Sequence, residues 1–143
     1  MSESAPIYAA FLGTWILIPD SCDYEQGEPP QSGTYQIADD AGRLELTMQW
    51  IDSAGDSHTA KFDGVPNGER VPFDGGELAD ALSISTPSAR ELNSSAYWQG
   101  EELMFAQRQL DDTGAAMRVT QLIRFHDGNS LANVSVYRKQ VLN

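Results

Sequence analysis

Two histidines, His58 and His126, one cysteine, Cys22, and the adjacent carboxylates Asp39-Asp40, Glu101-Glu102 and Asp111-Asp112 are where catalysis or metal binding would be sought in this 143-residue chain. An imidazole at His58 could ligate iron, free or in a haem, but there is no Cys-x-x-Cys and no paired-His spacing, so no metal site is expected. Cys22 stands in "DSCDY", where acidic neighbours disfavour the thiolate, and no Gly-x-Ser-x-Gly elbow offers an activated serine. The carboxylate pairs fall in or beside turns, where solvated loops need polar residues. No Gly-rich phosphate loop opens a helix, and no cofactor is implied. What remains is binding chemistry. Tyr35, Met48, Trp50, His58, Phe62, Phe105, Gln107 and Tyr137 combine apolar and aromatic surface with a few polar groups, as a small-molecule pocket requires.

The elements that must bring these residues together are short alternating runs divided by turn chemistry: "DDAG", "SAGD", "PNGE", "FDGG", "WQGE", "DDTG" and "HDGN". Asp, Asn and Gly accept the positive φ of tight hairpins, and this spacing is that of an antiparallel meander. Ten strands are predicted, over 13–20, 33–38, 43–51, 57–63, 70–73, 81–86, 91–98, 103–110, 115–125 and 130–139. In "RLELTMQW" Leu44, Leu46, Met48 and Trp50 alternate with polar residues, so one face is buried and the other wet. A short helical turn is expected in the first dozen residues, ended by Gly13. A one-sided meander of this length leaves two edges and an uncovered apolar face unless it closes, so the expected fold is all-β: a closed antiparallel up-and-down barrel of eight to ten strands, forming one domain over 1–143.

Composition narrows the partners. With 21 acidic against 9 basic residues the formal net charge is -12, which repels nucleic acid and anionic membrane surfaces alike. A lone cysteine makes no internal disulfide, and "MSESAPIYAAFLG" has neither a basic leader nor an unbroken apolar span. A soluble, cytoplasmic protein is therefore expected. Homodimerisation is left open.

With the meander in place, "FLGTWILIPDSCDY" resembles the first strand of the lipocalin and fatty-acid-binding superfamily, the calycins, with Gly13 and Trp15 in the Gly-x-Trp positions. "VSVYRKQ" resembles the family's last strand. The resemblance implies that Gly13, Trp15 and Arg138 seal one end of the barrel, the arginine stacking across the tryptophan. The middle of the chain is also similar to small bacterial lipocalin-like proteins. Three features depart from the pattern. The Thr-Asp-Tyr turn of lipocalins is missing. Gly27, Pro29 and Pro30 forbid the helix pair that fatty-acid-binding proteins insert after the first strand. The family's Arg-x-Tyr carboxylate clamp reads Ser135-Val136-Tyr137, and its second arginine falls at "QRQ", with Gln107 in register and Arg108 one residue off.

The function expected is binding or carriage of a small, largely apolar molecule, neutral or weakly polar, oriented by Gln107 and Tyr137. Two alternatives are an isomerase or decarboxylase on the same barrel, and a filled-barrel interaction module without a small ligand.

Overall fold

The computed structural model describes residues 6–24, 28–73, 79–125 and 127–140. A 3-10 turn, Ala9–Phe11, leads into β1 (Gly13–Tyr24), β2 (Ser32–Asp40), β3 (Arg43–Ile51), β4 (Ser57–Gly64), β5 (Val71–Pro72), β6 (Ala81–Ser88), β7 (Glu91–Trp98), β8 (Glu101–Leu110), β9 (Ala116–Arg124) and β10 (Ser130–Lys139). His126, and most of the "FDGG" turn, lie outside the described residues. Turn chemistry sets the register where it is tightest. Asp40 pairs with Arg43 and Trp98 with Glu101, so Ala41-Gly42 and Gln99-Gly100 are two-residue turns. Their φ values of +53°, +92°, +50° and +86° are the left-handed pairs of type I′ hairpins, whose twist matches that of the strands.

Every strand pairs antiparallel with its neighbours in the order β4-β3-β2-β1-β10-β9-β8-β7-β6-β5. Although β2 and β8 stand four places apart in that order, Tyr35 on one meets Arg108 on the other, with Arg108 Nε donating to the Tyr35 hydroxyl at 2.7 Å. The sheet is thus curled until opposite parts of its concave face touch.

The sheet forms a half-barrel, and the expected closure is not confirmed. Among the described residues no ladder joins β4 to β5 or β6. The two ends meet where Gly64 faces Ile84 and at an isolated bridge between Asn67 and Ser85. The physical reason lies in residues 65–73: Pro66 and Pro72 lack the N–H a ladder needs, and β5 is only two residues long.

A proline also shapes β1, which shifts register against β10 between Ile18 and Asp23. Pro19 has no N–H to give. Ser21 bridges the bulge instead, its Oγ accepting from the Val136 N–H at 2.9 Å while its hydroxyl donates to Ile18 O at 2.6 Å.

Candidate functional site: an arginine on the floor of a half-open barrel

Alternation assigns the concave face, and burial along it falls in one direction. On β3 the inward residues Leu44 and Leu46 are buried, Met48 and Trp50 only partly so. On β8 Leu110, Arg108 and Ala106 are buried, whereas Met104 is 38% exposed. On β9 Met117 is buried, and Val119, Gln121 and Ile123 are progressively nearer the open end and only partly covered. One half of the barrel is therefore packed and the other is a half-exposed trough.

The packed half is closed by the start of the chain. Trp15 is 0% exposed, its indole N–H donating to Phe11 O at 2.9 Å, with Phe11 and Tyr8 beside it in the same core. Arg138 does not stack across it. Lys139 is the residue in register with Trp15, and its ammonium stands 5.5 Å from the ring centroid, while Arg138 points outward and is exposed. Gly13 opens β1 at φ +130°, where an added Cβ would stand 3.4 Å from the Lys139 side chain.

Arg108 lies where the two halves meet. It is 2% exposed. Besides the bond to Tyr35, its Nη2 donates to Ser94 Oγ at 3.0 Å and its Nη1 approaches Leu92 O at 3.5 Å. The guanidinium carbon is 5.3 Å from the centre of the Tyr35 ring and 5.8 Å from that of Phe62. Among the described residues the ion pairs are Arg43–Asp63, His58–Asp52, Arg90–Asp112 and Arg124–Glu102, all with solvent-accessible side chains, and none includes Arg108. A guanidinium has five N–H donors and stays charged, so among the described residues Arg108 is a buried cation facing only neutral acceptors, with two N–H groups to spare. Tyr137 stands edge-on to Tyr35 at 5.6 Å between centroids. Its phenol is pushed above the usual tyrosine range, first by burial and then by the nearby Tyr35, Tyr24 and Cys22, against a smaller opposing effect of the Ser135 hydroxyl, so it stays protonated.

The residues singled out from the sequence divide accordingly. Tyr35, Met48, Phe62 and Tyr137 line the concave side around Arg108. Trp50 and His58 pair at the open rim, their rings stacked at 5.3 Å, and His58 is exposed with Nε2 2.7 Å from Asp52 Oδ2. Phe105 and Gln107 are corrected: they lie on the convex side, Phe105 in register with Ser95 and Leu122, and Gln107 donating to Glu91 Oε2 at 3.2 Å. The reason is parity. "LMFAQRQL" can be read with Phe105 and Gln107 inside, or with Met104, Ala106, Arg108 and Leu110 inside, and the larger aromatic favours the first reading. Packing enforces the second, because Leu110 is in register with the core residue Met117. Arg108 and Ser94 are thus functional candidates that the sequence reading passed over, and the signal was the arginine one place from the expected position.

Among the described residues no helix covers the mouth. Seven residues, 25–31, connect β1 to β2, too few for a helix pair. Two shallow depressions of about 630 and 390 Å³ lie elsewhere, one beside the β7–β8 and β9–β10 turns around Leu103, Leu122 and Phe125, the other around Asp111, Arg118 and Val136. No helix among the described residues is long and apolar enough to cross a membrane.

No family model matches the chain, and no curated protein sequence matches it. Solved structures do. A fatty acid binding protein of Schistosoma mansoni in complex with arachidonic acid is 12% identical over 95% of this chain and 100% of its own, with a TM-score of 0.60. An ileal bile acid-binding protein of zebrafish complexed with cholic acid is 16% identical over 92% and 99% of the two chains, with a TM-score of 0.53. The fold of this chain is the calycin fold, built here as a ten-stranded antiparallel half-barrel.

Proposed function

We propose that the half-barrel binds a small amphiphile by an acidic head, with Arg108 as counter-charge and the open half of the concave face as the bed for its apolar body. The observation that carries this reading is the burial of Arg108 without a carboxylate partner among the described residues. Taking a cation out of water costs several kcal/mol even after relaxation. Neutral hydroxyls and a carbonyl return only part of that, and an anion accepting from the two spare N–H groups would return more. The apolar body would add roughly 25 cal/mol for each Å² removed from water.

Sequence parity, by placing Gln107 inside, favours a neutral ligand; Arg108 in that place favours an acid. The two similar structures support the same choice, since each holds a carboxylic acid. The net charge of -12 does not oppose it at contact, because surface charges are screened over about 8 Å at physiological salt while a buried pair is not.

The test is displacement of an environment-sensitive anionic dye by dodecanoate and by dodecanol. The acid should compete at least tenfold better than the alcohol of equal length. Equal competition would remove the acidic head from the reading, and failure of any dye or lipid to bind would remove the container.

A further inference from the structure

The register aligns inward side chains in rings around the concave wall. Tyr24 on β1 pairs with Asn133 on β10, Asn133 with Gln121 on β9, Gln121 with Ala106 on β8, and Ala106 with Ser94 on β7. Arg108 reaches up from the ring below to bond Ser94, so its guanidinium lies at the level of this ring. On one side of that level the wall is small, at Ala106; on the other it carries three polar side chains on adjacent strands, Tyr24, Asn133 and Gln121. They interrupt a lining that is otherwise apolar towards the mouth, at Met104, Ile123 and Leu131.

Two of the three have hydrogen-bonding capacity unspent. Asn133 Oδ1 is fully buried and has no partner among the described residues. Among the described residues Gln121 Nε2 donates only to Met104 Sδ, at 3.2 Å, and a thioether is a weak acceptor. A buried polar atom left unsatisfied is costly and points to a partner that arrives from outside the chain. That partner must suit a carboxamide, in which oxygen and nitrogen can exchange places by a flip of the group. A hydroxyl does, since it both donates and accepts. A bare hydrocarbon tail does not.

We infer that Asn133, flanked by Tyr24 and Gln121, is a second polar subsite that selects acidic amphiphiles bearing a hydroxyl on the body of the molecule. The inference rests on the reading of Arg108 as the seat of the acidic head. It adds a spacing: Asn133 stands two strands from Arg108, so head and hydroxyl are separated by on the order of 10 Å along the wall.

Isothermal titration of the whole chain with a saturated straight-chain carboxylate, and with the same acid hydroxylated at successive positions along its body, tests this. Wild type should bind one hydroxy isomer about tenfold tighter than the parent acid, the size of one well-made neutral hydrogen bond. Asn133→Leu should abolish that preference and keep the parent's affinity within threefold, whereas Arg108→Met should weaken both ligands. A second measurement needs no variant: the side-chain amide signals of Asn133 in wild type should shift on adding the preferred hydroxy acid and stay in place with the parent. If no hydroxy isomer is preferred while Arg108→Met still loses the parent acid, the second subsite is overturned and the acidic-head reading stands. A preference that survives in Asn133→Leu overturns the assignment to this residue. Binding of neither probe by wild type overturns both readings.

Discussion

Replacing Arg108 by methionine separates a residue kept for a ligand from one kept for the fold. The arginine makes three polar contacts, to Tyr35, Ser94 and Leu92, the last at the limit of bonding distance. Two good bonds from a charged donor are worth about 1.5–3 kcal/mol each. Against them stands the several kcal/mol spent in burying the ion, and exchanges of buried ionic groups for apolar ones of similar volume are often neutral or stabilising by about 1–4 kcal/mol. Met fills most of the space, and the Tyr35 and Ser94 hydroxyls can rotate towards other acceptors. The sum lies within about 2 kcal/mol of wild type, unlike the roughly 2–5 kcal/mol lost when a large buried side chain is simply truncated. Urea unfolding with and without dodecanoate is the assay. At a hundred times its dissociation constant the ligand should add about 2.7 kcal/mol to wild type and nothing to Arg108→Met. A variant that loses more than about 4 kcal/mol while wild type gains nothing from the acid would show that Arg108 is a structural residue, and the argument from its unpaired charge would fail.

Trp15→Ala should cost about 3–5 kcal/mol, since it empties the sealed end and leaves the Phe11 carbonyl without its donor; an unchanged urea midpoint would refute the plug. At the seam of the half-barrel an added Cβ on Gly64 would stand 3.1 Å from Ile84 Cδ1, so Gly64→Ala should destabilise by about 1–3 kcal/mol. Ile84→Val, which removes that carbon, should restore part of the loss in the double variant, and strict additivity would count against the contact. Asp52 and Asp111 are held below the ordinary carboxylate value of 3.8, Asp52 chiefly by the hydrogen bond with His58 and Asp111 chiefly by the Thr113 hydroxyl. A lowered folded-state value stabilises fully above the unfolded one and is lost as pH falls through the folded one, so both contributions should hold between about pH 8 and 5 and vanish only in acid. Carboxyl-carbon NMR titration should find both midpoints below 3.8, and midpoints at or above it would refute the turn geometry.

Local chemistry was enough for the strands, because hairpins are specified by residues adjacent in sequence. The runs Arg43 to Ile51 and Glu91 to Trp98 coincide with β3 and β7, and Gly42 and Gly100 stand where left-handed φ is needed. The end of β1 was less legible. Pro19 and Asp20 read as a stop, yet the strand resumes through a bulge to Tyr24 because Ser21 supplies the missing bond from a strand more than a hundred residues away.

What the sequence by itself determines here is the number and order of one-sided strands and the apolar face of each strand whose alternation is unambiguous; the opening Gly-Thr-Trp adds a resemblance to a first barrel strand. Parity in "LMFAQRQL" and "VSVYRKQ" was decided only in three dimensions. There a shift of one residue brings Arg108 rather than Gln107 into the barrel, and sets Lys139 rather than Arg138 over Trp15. Whether the sheet closed was likewise a tertiary matter, settled by the ladder that Pro66 and Pro72 cannot continue between β4 and β6. The parity has a different physical reason. Alternation has a period of two and fixes no origin, so when both faces of a strand carry mixed residues, only packing against partners distant in sequence chooses which face is inside.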